Sequence, residues 1–358
     1  MATSLSTTKF FAVDRDYRFS KLCLYELHAH LNGSLSRSTM LQLQRCLADN
    51  GMADTSNAFL DEFQIGAGDT RNLADCFQVF NIAHALTSTK ETLAKATAST
   101  LKEFEDDGCC YIELRSTPRQ TPHMTISEYI ETIVQTMLNT TDMSIISCLI
   151  VSINRSSSQR DADIIADYAI EYHAKYPDIV VGIELSGNPA IGNFKDFVPP
   201  LTRARNAGLK ITLHCGEICN PQEVIEMLNF KPERIGHGVC IHPRFGGIDA
   251  AWELLCKSQI PVEICLTSNV NTKSTPDYNC HHFNELYNAN VPIVLCTDDK
   301  GVFATSLSQE YQICAETFGI EQSKLARLSL SACNYIFAVE KRKMLMDKLL
   351  NFINKKEL

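Results

Sequence analysis

Eight short runs of aliphatic and β-branched residues recur along the chain, at about 23–28, 109–115, 145–152, 179–185, 210–214, 234–237, 261–266 and 292–297. Most are apolar at consecutive positions, the pattern of parallel strands covered on both faces. Helical patterns separate them. In 126–138, Ile126, Ile130, Ile133 and Met137 share one stripe, and Thr125 with Glu128 fits a capping box. Asn220-Pro221 reads as an N-cap followed by proline at the first helical position, and an amphipathic helix over 91–107 stops at Gly108. Eight strand–helix alternations in 358 residues predict an α/β fold, a (β/α)8 TIM barrel. A doubly wound open sheet is the alternative, but no GxGxxG follows the first strand. The whole chain is expected to form one barrel domain. Residues 1–20 read as an N-terminal extension, and 31–108, too long for a plain βα connection, as a helical insertion over the barrel mouth.

Polar side chains follow every strand. His28, His30 and Asn32 come after the first, Arg115-Ser116-Thr117 after the second and Asn154-Arg155 after the third. Ser186-Gly187-Asn188, His214-Cys215-Gly216-Glu217 and His237 follow the next three, then Thr267-Ser268-Asn269 and Thr297-Asp298-Asp299. In a barrel these C-terminal ends converge on one face, where barrel active sites lie. His28 and His30, two apart on an extended strand, point to the same side. With His214 and Asp298 they make a three-histidine, one-carboxylate set that suits one Zn²⁺ and leaves a position for water. The adjacent acids Asp298 and Asp299 would repel each other at the end of an apolar strand unless a cation or histidine offset one of them. His84, His173, His281 and His282 can be ordinary histidines, and the last three are read that way.

Bound Zn²⁺ brings the pKa of its water to about 7. Glu217, three residues beyond His214, is placed to protonate an electrophile, and His237 and Asp299 to hold the attacking water and take its proton. The expected chemistry is metal-assisted hydrolysis at an sp² carbon, with Glu217, His237 and Asp299 catalytic. Strand four, IVVGIEL, has no lysine to bridge a second metal, so one ion per chain is expected.

Composition narrows the partners. A net charge of −9 with no long basic run argues against nucleic acid. The longest strongly apolar stretch, 145–153, is too short to span a bilayer, and the first residues are polar with acids among them. The 15 cysteines include no CxxC, which reads as a reduced, cytosolic protein whose thiols are mostly small core hydrophobes. A monomer is expected.

The motifs HAHLNG (28–33), HCGE (214–217), RIGHG (234–238) and TDD (297–299) resemble the adenosine deaminase family in order and spacing. The resemblance implies that His28, His30, His214 and Asp298 ligate zinc and that Glu217 protonates purine N1. It further implies that His237 orients and polarises a zinc-bound hydroxide, that Asp299 partners this hydroxide and purine N7, and that Gly187, in LSGN, offers a backbone donor to the ring. The other zinc deaminase signature, HxE with PCxxC, is absent. ELRSTPR (113–119), PVEICLTSNV (261–270) and CTDDKGVFATSLSQEY (296–311) resemble the family's adenosine deaminase-like branch. That implies a purine nucleotide substrate, N6-methyl-AMP, converted to IMP and methylamine. Nucleoside deaminases have HLDG where this chain has His30-Leu31-Asn32-Gly33. A carboxylate there would repel a 5′-phosphate, whereas neutral Asn32 can donate hydrogen bonds to it. Asn32 can also be a simple turn residue before Gly33. By resemblance His30, His84, Thr87, Thr117 and Arg155 also contact the nucleotide, although His84 can be a helix-surface histidine and Arg155 a solvated loop charge. Two other readings stay open: a deaminase of free adenosine or deoxyadenosine, and a catalytically silent metal- or nucleotide-binding protein.

Overall fold

The structure, a computed structural model, describes residues 23–52, 62–66 and 68–356. The expected extension over 1–20 lies outside them. Strand β1 (Leu24–His30) is followed by three helices, α1 (Arg37–Asp49), α2 (Leu73–Leu86) and α3 (Lys90–Asp106). Strict alternation comes next: β2 (Cys109–Ser116), α4 (Ile126–Asn139), β3 (Ile146–Asn154), α5 (Gln159–Lys175), β4 (Val180–Ser186) and α6 (Phe194–Asn206). It continues with β5 (Lys210–Cys215), α7 (Pro221–Phe230), β6 (Arg234–His237), α8 (Asp249–Ser258) and β7 (Val262–Ile264). Helices α9 (Leu266–Asn271) and α10 (Phe283–Asn288) precede β8 (Ile293–Leu295), and α11 (Leu307–Phe318), α12 (Gln322–Ala332) and α13 (Arg342–Lys356) complete the chain.

The eight strands pair in chain order, each parallel to the next. A bridge between Ala29 and Asp298 brings the first and last strands together: the His30 N–H donates to the Asp298 carbonyl at 2.9 Å, and the Asp298 N–H to the His28 carbonyl at 2.8 Å. This is the (β/α)8 TIM barrel. The Thr125–Glu128 capping box and the Asn220 N-cap with Pro221 behind it both form. Among the described residues no helix is long and apolar enough to cross a membrane.

Two expectations need correction. Apolar-on-both-faces holds for only part of the strand set. On β2, Ile112 and Leu114 join the main apolar cluster with Ile130 and Ile133 of α4, while Glu113 and Arg115, of the opposite parity, meet charges from across the barrel. Arg115 bonds Glu184 of β4 and, at 2.7 Å, Glu263 of β7. Arg234 of β6 bonds Glu263 and Glu113, each at 2.6 Å. All five side chains are fully buried. The cysteines are not all free either. Cys23 and Cys110 are joined by a disulfide, because pairing Leu24 with Cys109 sets the two starts of β1 and β2 side by side. Nothing in the local sequence encodes that register.

Candidate metal centre and substrate cavity

The C-terminal ends of the strands and one side of α2 enclose a cavity of about 580 Å³. At its floor His28, His30, His214 and Asp298 come together, with one donor atom from each lying within 4.8 Å of the others. Because β1 alternates its side chains, both of its histidines point inward; β5 and the bridge after β8 bring the other two. Asp298 holds a left-handed backbone (φ 62°), as does His237 (φ 62°), a conformation that costs a non-glycine residue about 1–3 kcal/mol and that gathers at functional sites.

The four residues fit a divalent cation. His30 Nε2 and His214 Nε2 face each other at 3.2 Å, a repulsive contact between two lone pairs unless a proton or cation lies between them. His28 Nε2 is buried with no hydrogen-bond partner and lies 3.3 Å from Asp298 Oδ1. Its Nδ1 is 2.8 Å from Glu263, and His214 Nδ1 is 3.0 Å from Glu184. Such carboxylates fix a proton on Nδ1 and turn the Nε2 lone pair toward a metal. Burial and Arg115 oppose a charge on His28, yet Asp298 and Glu263 hold it up at about 9, so the site favours positive charge at this point. A second grouping, His237, Cys265 and Asp298, is chemically poorer, because burial pushes the Cys265 thiol well up and it is the thiolate that ligates.

Around this floor lie Glu217, His237 and Asp299, the side chains expected from the sequence to handle protons. Glu217 is buried, and burial followed by Asp298 outweighs the nearby histidines to push its carboxyl up to about 7. Its Oε1 is 3.7 Å from His237 Nε2, which has no hydrogen-bond partner. Asp299 is raised well above the usual carboxylate range by burial and then by Asp298, Glu184 and Glu217. Burial works against Asp298 too, but there the His28 ring prevails and the carboxyl lies well below that range. Two neighbouring acids are thus driven to opposite protonation states. Asp299 also explains Gly33: a Cβ there would sit 1.6 Å from its carboxylate oxygen.

Asn32, His84, Thr117 and Gly187 also line the cavity. Gly187 has φ 97°, and a Cβ on it would meet Asn154 Oδ1 at 2.5 Å. Two expected contacts are not in the lining. Arg155 is buried, ion-paired to Glu223 at 2.7 Å and bonded to the Ile191 carbonyl, so it is neither in the cavity lining nor a solvated charge. Thr87, fully buried, caps α2 and stands behind Asn32, whose Nδ2 donates to its hydroxyl at 3.1 Å. A cavity residue that sequence reasoning passed over is Arg119, at the end of the quoted ELRSTPR segment. It donates to Thr87 Oγ1 at 2.7 Å and to Tyr129 Oη at 3.1 Å, and Tyr129 Oη donates to Asn32 Oδ1 at 3.2 Å. Of the two arginines lining the cavity, Arg115 is neutralised by Glu184 and Glu263, whereas Arg119 pairs with no carboxylate among the described residues. Burial and Arg119 together lower His84 to about 4, which leaves it neutral. His281 and His282, expected to be ordinary histidines, are buried instead, with 1% exposure each.

Residues 24–352 match the adenosine deaminase family. The N6-methyl-AMP deaminase of Danio rerio is 40% identical over 342 residues, covering 94% of this chain and 96% of that protein. The crystal structure of arabidopsis N6-mAMP deaminase superposes with a TM-score of 0.84 at 37% identity, covering 93% of this chain and 99% of that one. Arabidopsis ADAL complexed with IMP gives 0.85 at 36% identity over 95% and 99% of the two chains. A barrel of this order, matched along nearly its whole length at such identity, leaves one assignment: the chain belongs to the adenosine deaminase family.

Proposed function

We propose that the protein is a zinc-dependent hydrolytic deaminase of N6-methyl-AMP and related N6-substituted purine nucleoside monophosphates, producing IMP and the free amine. The observation that carries the reading is one cavity with two chemically distinct regions: the His28–His30–His214–Asp298 cluster, and Arg119, paired with no carboxylate among the described residues, which shares Thr87 and Tyr129 with Asn32. A purine C6 fits the first and a 5′-phosphate the second. The relatives named N6-methyl-AMP deaminase and the neighbour holding IMP support the same substrate class.

His28, His30, His214 and Asp298 would hold the ion. Bound Zn²⁺ supplies a water acidified to a pKa of about 7 and a Lewis-acid charge beside it. The rest falls to the chain. Glu217, a carboxyl near neutrality, gives its proton to purine N1, which draws electrons from C6 and opens it to attack. His237 holds the incoming water with Nε2. Asp299, kept protonated by burial and then by its acidic neighbours, donates to N7. A C6–O bond forms and the C6–N6 bond breaks; one proton of the added water leaves with methylamine, and the other returns Glu217 to its acid form.

A side-by-side ultraviolet assay of zinc-loaded protein on N6-methyl-AMP, AMP, N6-methyladenosine and adenosine tests the reading. Turnover of N6-methyl-AMP well above the rest is the expected result. Preference for adenosine would keep the C6 chemistry and reject the phosphate end; no turnover on any of the four would favour a binding protein. Asn32→Asp sharpens the test. The new carboxylate would neutralise Arg119 and face the phosphate. A like charge within several ångströms should cut the preference for nucleotide over nucleoside by about 10- to 100-fold. An unchanged ratio of kcat/KM values would leave Asn32 a turn residue.

A further inference from the structure

A line of hydrogen bonds runs from a backbone amide to the ring of His237. The Phe283 N–H donates to His281 Nδ1 at 3.1 Å. A backbone amide can only donate, so Nδ1 of His281 is the acceptor and its proton sits on Nε2. His281 Nε2 lies 3.1 Å from Asn269 Oδ1, and Asn269 Nδ2 lies 3.1 Å from His237 Nδ1. Each link fixes the next: His281 Nε2–H donates to the amide oxygen, the amide N–H donates to His237 Nδ1, and the His237 proton is left on Nε2. That nitrogen lies on the cavity side, without a partner. Meanwhile His282 Nε2 is 2.7 Å from the His237 carbonyl, an atom that can only accept. It clamps the left-handed backbone that His237 (φ 62°) and Gly238 (φ 71°) adopt in succession. The rings of His281 and His282 stack at 4.3 Å, and burial keeps both neutral.

We propose that Asn269, His281 and His282 are positioning residues that fix neutral His237 with its proton on Nε2, so that it meets the reacting water as a hydrogen-bond donor and not as a base. This rests on reading the cavity as the reaction site. It removes one of the two roles that the sequence left to His237. The water's protons go instead to the leaving amine and to the Glu217 carboxylate left after N1 is protonated, and a donating imidazole directs a water lone pair toward C6.

The test is the ¹⁵N spectrum of histidine-labelled, zinc-loaded protein, with His237 identified by the signals missing in His237→Gln. Wild type should show a protonated, pyrrole-type Nε2 and a pyridine-type Nδ1; the reverse overturns the proposal whatever the turnover. Asn269→Asp can only accept, so it should invert the tautomer and lower kcat by about 10- to 100-fold with KM nearly unchanged. An Asn269→Asp protein that keeps the wild-type signature also overturns it. His281→Gln places an amide N–H where Nε2–H was and should retain most of the turnover and the signature, while His281→Phe should lose both. A wild-type protein with the expected signature but no deaminase turnover would reject the functional reading and leave the relay standing.

Discussion

Glu217→Gln should lower kcat by about 100- to 10,000-fold, the usual worth of a positioned general acid, and leave the metal in place. The substitution is nearly isosteric, and it replaces a carboxyl that burial already pushes up to about 7, so the buried surroundings meet little change in charge. What disappears is the transferable proton. The sign of the pH dependence follows. Glu217 acts in its acid form, which is populated below its pKa and lost as pH rises through about 7. Wild-type kcat should therefore fall on the alkaline side of neutrality, whereas Glu217→Gln should be slow and free of that limb. Single-turnover rates across pH, with metal content measured on the same samples, would check both. Near-wild-type rates in a metal-loaded Glu217→Gln protein would show that N1 receives its proton from another group.

His214→Ala should empty the site and abolish turnover together. Removing this ring leaves His28, His30 and Asp298 and deletes the imidazole that Glu184 orients. Metal content by mass spectrometry should fall from one ion per chain to near zero. Thermal stability offers a second readout. A ligand at a thousand times its Kd stabilises the folded state by about 4 kcal/mol, so zinc should raise the Tm of wild type and not of His214→Ala. A variant that kept stoichiometric zinc would transfer the ligand role to another residue. Chelation of the wild type, followed by zinc, should remove and restore activity.

The floor of the cavity was legible in the sequence because its signals are local. His28 and His30 stand two apart on a strand, and Asp298 follows an apolar strand directly. Strand positions were equally readable, since parallel strands announce themselves as apolar runs. The ends of β7 were not: Leu266–Asn271 turns helical at once, and that turn aims Ser268 at Asp298 and Asn269 at His237. Side-chain direction was the harder problem. Arg155 and Arg119 both follow strands, but only the fold shows that Glu223 claims one, while the other lines the cavity with neutral partners alone among the described residues. Glu113, Arg115, Glu184, Arg234 and Glu263 did leave a trace, as charges inside otherwise apolar runs. Their partners, however, lie 29 to 148 residues away and depend on the register around the barrel. His281 and His282 gave no warning, because burial of a histidine pair is a property of packing.

That interior lattice of charge also bears on how the chain can assemble. Three of its four ion pairs skip past neighbouring strands. Arg115 ties β2 to β4 and β7, and Arg234 ties β6 to β2 as well as to the adjacent β7. A partly formed barrel lacking β6 and β7 would enclose Glu113 and part of Arg115 without their counter-ions. Breaking a buried ion pair by removing one partner costs about 3–5 kcal/mol, a sizeable share of the stability of most domains. Half-barrels are therefore poor resting points, and folding is pressed toward a single cooperative closure. The candidate metal ligands, drawn from β1, β5 and the turn after β8, come together only at that closure, so the unclosed chain has no complete site with which to capture a metal.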